Sequence, residues 1–218
     1  MRINERSLHL VSDFDDKIFH ILGCGAIGSS AATQLARMGA MQFVLYDLDK
    51  VEIQNVGVSH YIYQDIQKPK VVALREHLEN INPEIRVHEQ YGRFTKFIKP
   101  IGEGDIVVLG FDSMDSRLEA AEESMKGKNK PYLLIDGRMG AEEYHQFTFR
   151  KPTLKEYKKT WYPDVMAEDE PCNAKATSYC SNMSGAFIAN AIKKTLNDED
   201  CPKQFFFTFP ALVLGKPK

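Results

Sequence analysis

The chain reads as an α/β protein: a Rossmann-like, doubly wound, mainly parallel sheet, with a long loop and a C-terminal helix plus strand. Three observations predict this. Strands and helices alternate over residues 17–150, several strands are unbroken apolar runs of the kind buried on both faces, and a Gly-x-Gly-x-x-Gly turn joins the first strand to the first helix.

Lys17 to Leu22 is a short apolar strand, and Ser29 to Met38 follows as a helix with Ala and Leu on one face and Gly39 as its stop. Ala40 to Tyr46 is the second strand, ending at Asp47. Lys70 to Ile81 has apolar residues at helical spacing and ends at Asn82-Pro83, and Ile85 to Glu89 is a candidate third strand. Asp105 to Gly110 is a buried strand, Ser116 to Met125 a helix, and Tyr132 to Ile135 a strand. The texture changes at Gln146 to Arg150. Residues 151–181 are polar and aperiodic, which in a compact domain marks a functional or disordered loop. Met183 to Leu196 is a helix, and Phe205 to Leu214 a strand interrupted or ended by Pro210.

With 43% hydrophobic content, 218 residues can bury a core of their own, and the expectation is one domain spanning 1–218. A formal charge of −2 lacks the basic footprint that nucleic acid or an anionic membrane selects for, so neither is expected as a partner. No run approaches the roughly 18 apolar residues of a membrane span. The opening MRINERSLHLVSDFDD alternates charges where a signal peptide needs an apolar stretch, so the expected location is cytoplasmic. Cys24, Cys172, Cys180 and Cys201 form no CxxC pair and are expected as thiols. His60, His77, His88 and His145 lack ligand spacing.

Gly23, Gly25 and Gly28 sit where a glycine turn lets backbone N–H groups approach a phosphate at a helix N-terminus. Asp47 lies about 20 residues further on, at the end of the next strand, where a carboxylate accepts hydrogen bonds from ribose hydroxyls. That arrangement suits NAD and the adenosine half of ATP equally well.

The segments that follow separate the two. Asp47-Leu-Asp49 with a short link to Asn55, then Gln67-Lys-Pro-Lys70-Val, Asn80-Ile-Asn-Pro83, Val107-Val-Leu-Gly-Phe-Asp112-Ser and Arg117 resemble the ubiquitin-activating enzyme-like superfamily of ThiF, MoeB and HesA proteins. The resemblance runs from Phe19 to Phe149 and implies a single adenylation-type domain, with residues 17–150 as nucleotide-binding core, 151–182 as mobile loop and 183–218 as C-terminal helix and strand.

It also implies ATP and Mg²⁺ as cofactors. The implied partner is the C-terminal carboxylate of a small ubiquitin-like or sulfur-carrier protein or peptide, which attacks the α-phosphate and releases pyrophosphate. By the same resemblance Asp47 holds the ribose, Asn55 and Lys70 contact phosphate oxygens, Asp112 binds Mg²⁺ and Arg117 supports them. A homodimer is implied as well, in which Arg6 on a shortened N-terminal arm reaches the partner's site. Many relatives carry two CxxC pairs for a structural zinc; with neither here, no structural zinc is expected.

Family members place Arg-Gln three and four residues after the Asn, where this chain has Val58 and Ser59, so one phosphate cation is missing. Arg138, after a strand at the rim where α/β sheets bind ligands, is a substitute facing ATP or the incoming carboxylate, or else a surface residue. Cys172 falls about where relatives carry a thioester-forming cysteine, although its acidic neighbours raise a thiol pKa; Cys180, near a helix start, is a second candidate. Cys24 and Cys201 read as packing residues. Two alternatives stay open: a catalytically weak nucleotide- or partner-binding module of the same fold, and an NAD-dependent dehydrogenase, for which the stretch after Arg150 is too short and irregular to supply a substrate domain.

Overall fold

The computed structural model describes residues 3–7, 9–10, 14, 16–166 and 176–216. Its elements in chain order are β1 (Ile18–Leu22), α1 (Ala26–Arg37), β2 (Gln42–Asp47), α2 (Ile53–Val56), α3 (Lys70–Ile81), β3 (Arg86–Tyr91), β4 (Ile106–Leu109), α4 (Met114–Lys126), β5 (Leu133–Gly140), β6 (Glu143–Arg150), α5 (Leu154–Tyr157), α6 (Ser178–Leu196), β7 (Gln204–Thr208) and β8 (Val213–Gly215). The eight strands form one sheet in the order β3-β2-β1-β4-β5-β6-β7-β8. Strands β3 through β5 are parallel, and β6, β7 and β8 are added antiparallel.

The chain winds outward from β1 through β2 to β3 and then crosses to β4 on the other side of β1. This reversal opens a crevice at the carboxyl ends of β1 and β4, the place where such sheets bind ligands.

Alternation along the strands divides the core in two. Phe19, Ile21, Ile106, Val108, Leu133 and Ile135 pack under α1, α3 and α6, whereas Leu22, Val107, Leu109 and Leu134 pack under α4 and Tyr157 of α5. With both faces covered, the central strands take apolar residues at nearly every position, which accounts for runs such as IVVL.

The described parts of 151–182, residues 151–166 and 176–182, differ from the loop expected there. Thr153 caps α5, its hydroxyl accepting from the Glu156 N–H at 3.3 Å, and a 3-10 turn follows at Asp164–Met166. Helix α6 begins at Ser178, ahead of the Met183 expected from periodicity, because its first turns bury small and polar residues against α1. The Ser181 hydroxyl donates to the Ala26 carbonyl at 2.9 Å, and a Cβ on Gly185 would lie 2.2 Å from Ser30 Oγ, so the two helices approach backbone to backbone. Strand β5 continues to Gly140 and turns at Ala141 (φ 48) into β6, and the strand expected over 205–214 is the hairpin β7–β8 with Pro210 in its turn. Among the described residues, no helix is long and apolar enough to cross a membrane.

Candidate nucleotide-binding and active site

A cleft of about 1150 Å³ opens at the switch point. The glycine turn forms its floor. Gly23 sits at φ +90, and a Cβ there would lie 2.7 Å from Gly110 and Phe111 of the neighbouring turn. Gly28 packs so close that a Cβ would come within 1.8 Å of the Gly23 carbonyl oxygen. At Gly25, the N-cap of α1, a Cβ would meet nothing within 4 Å, so this backbone faces open cleft.

Asp47 ends β2 beside that turn and is buried. Its Oδ2 accepts from the Cys24 N–H at 2.7 Å and its Oδ1 from the Asp49 N–H at 2.8 Å. Each carboxylate oxygen has a further lone pair for a ligand hydroxyl. Burial raises its pKa above the usual carboxylate value, against the opposing pull of Lys70 and the two N–H donors.

Lys70 opens α3 and is buried, with Nζ 2.8 Å from Asp49 Oδ2. Burial pulls its pKa down, but Asp47 and Asp49 outweigh that and hold it above the usual lysine value. The Tyr61 hydroxyl donates to the Cys24 carbonyl at 2.5 Å and stands 3.2 Å from the Lys70 carbonyl, tying the start of α3 to the glycine turn. Asn55 lines the same side of the cleft; its Oδ1 accepts from the Glu52 N–H at 2.8 Å, which leaves its amide donors for an anion. Val58 and Ser59 also line the cleft.

Asp112 is exposed on the cleft wall, and among the described residues no hydrogen bond or ion pair to it is recorded. It does not cap α4: Ser113 does, its hydroxyl accepting from the Ser116 N–H at 3.2 Å. Asp164, which sequence reasoning missed, accepts from Ser113 Oγ at 2.8 Å and from the Met114 N–H at 2.6 Å. Among the described residues, no three His, Cys, Asp or Glu side chains gather as a ligand set for a metal ion.

Arg117 and Arg138 both line the cleft and both bind one fully buried carboxylate, Asp136. Arg117 Nη1 donates to Asp136 Oδ1 and, at 3.3 Å, to the Leu109 carbonyl. Arg138 donates to Asp136 Oδ2 from Nε at 3.0 Å and Nη2 at 2.6 Å. Asp136 had one sequence signal: it is a charge ending the apolar run YLLI, two residues before Arg138. Arg138 is therefore no free surface side chain.

Arg6 is exposed in a short 3-10 helix, Glu5–Ser7, and does not line the cleft. The Asn4 amide beside it donates to the Met38 carbonyl at 3.0 Å, at the end of α1 away from the glycine turn. Cys24 is buried in the turn, as its packing role requires. Cys180 is buried within α6, and burial pushes its thiol up to about 11, opposite to the lowering expected near a helix start. Cys172 lies outside the described residues.

A mainly parallel sheet with a glycine turn at its switch point and an acid ending the second strand defines a Rossmann-like α/β protein. The ThiF family model matches residues 12–212, and the chain belongs to the ThiF family, within the ubiquitin-activating-like superfamily. Ubiquitin-like modifier-activating enzyme 5 of Drosophila virilis is 29% identical over 128 residues, 51% of this chain and 32% of that protein. The Caenorhabditis briggsae enzyme of that name is 29% identical over 125 residues, 50% of this chain and 29% of that one. The chain thus spans about a third of these relatives.

Among solved structures, MccB of E. coli superposes with a TM-score of 0.71 at 18% identity, over 91% of this chain and 61% of that one. PaaA superposes with a TM-score of 0.69 at 17% identity, over 93% and 64%. These likenesses show the fold. MccB, a Microcin C7 biosynthetic enzyme, has been solved with ATP and with N-formylated MccA.

Proposed function

We propose that the chain uses ATP·Mg to adenylate the C-terminal carboxylate of a peptide or of a small ubiquitin-like or sulfur-carrier protein, releasing pyrophosphate. The observation that carries this is the joining of Asp47 to the glycine turn, Cys24 N–H to Oδ2 at 2.7 Å, on the cleft that Asn55, Lys70 and Asp112 also line. The open backbone at Gly25 fits a phosphate, and the spare lone pairs of Asp47 fit a ribose.

In this reading Asp47 holds the ribose, and Asn55 and Lys70 hold phosphate oxygens in line with the attacking carboxylate. Arg138 faces the reacting anions, with Arg117 behind it, and Asp112 holds Mg²⁺. A single protein carboxylate suits that ion, which keeps water and substrate phosphates as its other ligands. When bound, Mg²⁺ neutralises charge on the phosphates. Proximity and fixed positive charge then do the catalytic work, because a carboxylate is a poor nucleophile toward a polyanion. Residues 17–150 serve as nucleotide core within one adenylation-type domain. A homodimer bringing Arg6 to the partner's site, a thioester at Cys172 and a cytoplasmic location belong to the same proposal.

Val58 and Ser59 on the cleft wall favour a second reading, a binding module of the same fold with little turnover. Calorimetry with ATP·Mg, with NAD and with NADH tests both, repeated on Asp47→Ala and Asp112→Ala and followed by pyrophosphate exchange with candidate carriers. ATP·Mg binding abolished by Asp47→Ala and made magnesium-insensitive by Asp112→Ala supports nucleotide use. Exchange that stays absent with the carrier bound supports the module, and NAD binding without ATP binding overturns both.

A further inference from the structure

Two guanidinium groups share one carboxylate at the β5 side of the cleft. Asp136 is fully buried and accepts from Arg117, from Arg138 and, at 3.3 Å, from the Tyr157 hydroxyl, which carries no charge. One positive charge is left without a counter-charge inside this cluster. Arg138 is only 12% exposed, its guanidinium carbon lies 4.3 Å above the Phe147 ring, and its Nη1 donates to the Thr160 carbonyl at 2.8 Å. Water therefore screens that charge poorly, and a buried charge without a partner is costly.

Asp164, Lys159 and Glu143 do not cancel it. Asp164 feels the charge of Arg117, but its oxygens are engaged by Ser113 Oγ and by the N–H groups of Met114 and Asp115. Lys159 and Glu143, both on the cleft wall, oppose each other in sign. The cluster also adjoins the phosphate end of the cleft: a Cβ on Gly137, the residue before Arg138, would lie 3.2 Å from Ile27 Cγ2 in the first turn of α1.

We propose that Arg117, Asp136 and Arg138 form a preorganised anion subsite that takes the oxygens of a phosphate chain or of a terminal carboxylate, and that it supplies the cation absent at Val58. Arg138 meets the anion, while Asp136 and Arg117 position it. The assignment to a missing phosphate cation rests on the nucleotide reading; the anion subsite itself does not.

The test follows the arginine Nε–Hε resonances and the amides of Gly137 and Met139 in the ¹⁵N-labelled full chain. The probes are sodium tripolyphosphate, N-acetylglycine and the neutral N-acetylglycinamide. The expected result is a saturable shift at Arg138 with one or both anions and none with the amide. Arg138→Gln should weaken binding about tenfold or more, the scale of a charged hydrogen bond, and Arg138→Lys should retain part of it. A response to tripolyphosphate alone assigns the subsite to the nucleotide; a response to acetylglycine alone assigns it to the acyl substrate. Saturation by neither anion, or unchanged affinity in both Arg138 variants, overturns the proposal. Where ATP·Mg fails to bind but tripolyphosphate still shifts Arg138, the nucleotide reading falls and the anion subsite stands.

Discussion

The Trp161 indole Nε1 donates to the carbonyl of Met114 at 2.7 Å, fastening the segment after α5 to the first turn of α4. Asp164, three residues on, completes the fastening at the helix N-terminus, where a carboxylate is favoured by the exposed N–H groups. Because Thr160, Tyr162, Asp164 and Met166 all line the cleft, this strap forms one of its walls.

Asp164→Ala should loosen that wall without unfolding the sheet. Trp161 is the only tryptophan in the chain, so its fluorescence reports the strap directly. Burial is the largest single influence and raises the Asp164 pKa, but the hydrogen bonds from Ser113, Met114 and Asp115, with the charge of Arg117, together outweigh it and hold the group below the usual carboxylate range. Its contribution is therefore present above the unfolded carboxylate value, near pH 4, and lost as pH falls through the lower folded value. We expect a red-shifted Trp161 emission in Asp164→Ala at neutral pH, and the same shift in the wild type only on acidification below about pH 4. A wild-type spectrum unchanged by the substitution would mean that Asp164 does not hold the strap.

Two carboxylates at the cleft should differ widely in the worth of their ion pairs. Asp136→Asn leaves the buried Arg117 and the largely buried Arg138 facing a neutral amide, and removing one partner of a buried charge cluster costs about 3–5 kcal/mol. Asp49→Ala breaks the pair with Lys70, but the Asp49 side chain is 54% exposed, and such a pair contributes about 1 kcal/mol or less. Urea titration of both variants measures the difference. Equal losses would contradict the burial argument.

How far the sequence discloses the fold follows from burial. The runs IFHIL, QFVLYD and IVVL are legible because both faces of the central sheet are covered, and the turn at Gly23 is legible because only glycine tolerates its geometry. The first turns of α6 are not. Cys180, Ser181 and Ser184 are buried in a helix that packs closely on α1, and small polar residues carry no helical periodicity. The site divides in the same way: Asp47, Asn55, Lys70 and Asp112 lie in contiguous motifs and all line the cleft, whereas Asp136 and Asp164 act through partners 19 and 50 residues away. No local pattern announces a contact of that range.

The glycines of the turn should separate stability from binding. Gly28→Ala places a methyl group against the Gly23 carbonyl and the Ile21 side chain, in backbone that cannot yield. It should cost about 1–3 kcal/mol or more, or prevent folding. Gly25→Ala meets no packed neighbour within 4 Å, so stability should hold to within about 0.5 kcal/mol while ATP affinity drops, because the methyl group enters the space left for phosphate. Thermal melts paired with calorimetry distinguish the two effects. A Gly25→Ala protein that binds ATP at wild-type strength would move the phosphate away from this turn.

The cysteines give the last expectation. Burial raises the Cys24 thiol well above its ordinary value and pushes Cys180 up to about 11, and both side chains are buried. The thiolate is the nucleophile, so at pH 8 only about one Cys180 thiol in a thousand is ionised even before access is considered. In the native protein, iodoacetamide should leave Cys24 and Cys180 unmodified and react with both once urea unfolds the chain, with peptide mass spectrometry reading each site. Cys201 is half-buried and its pKa is also raised, so it should react slowly in the native state. Rapid native labelling of Cys180 would reopen it as an acyl acceptor; its protection leaves Cys172 as the thiol on which a thioester step would depend.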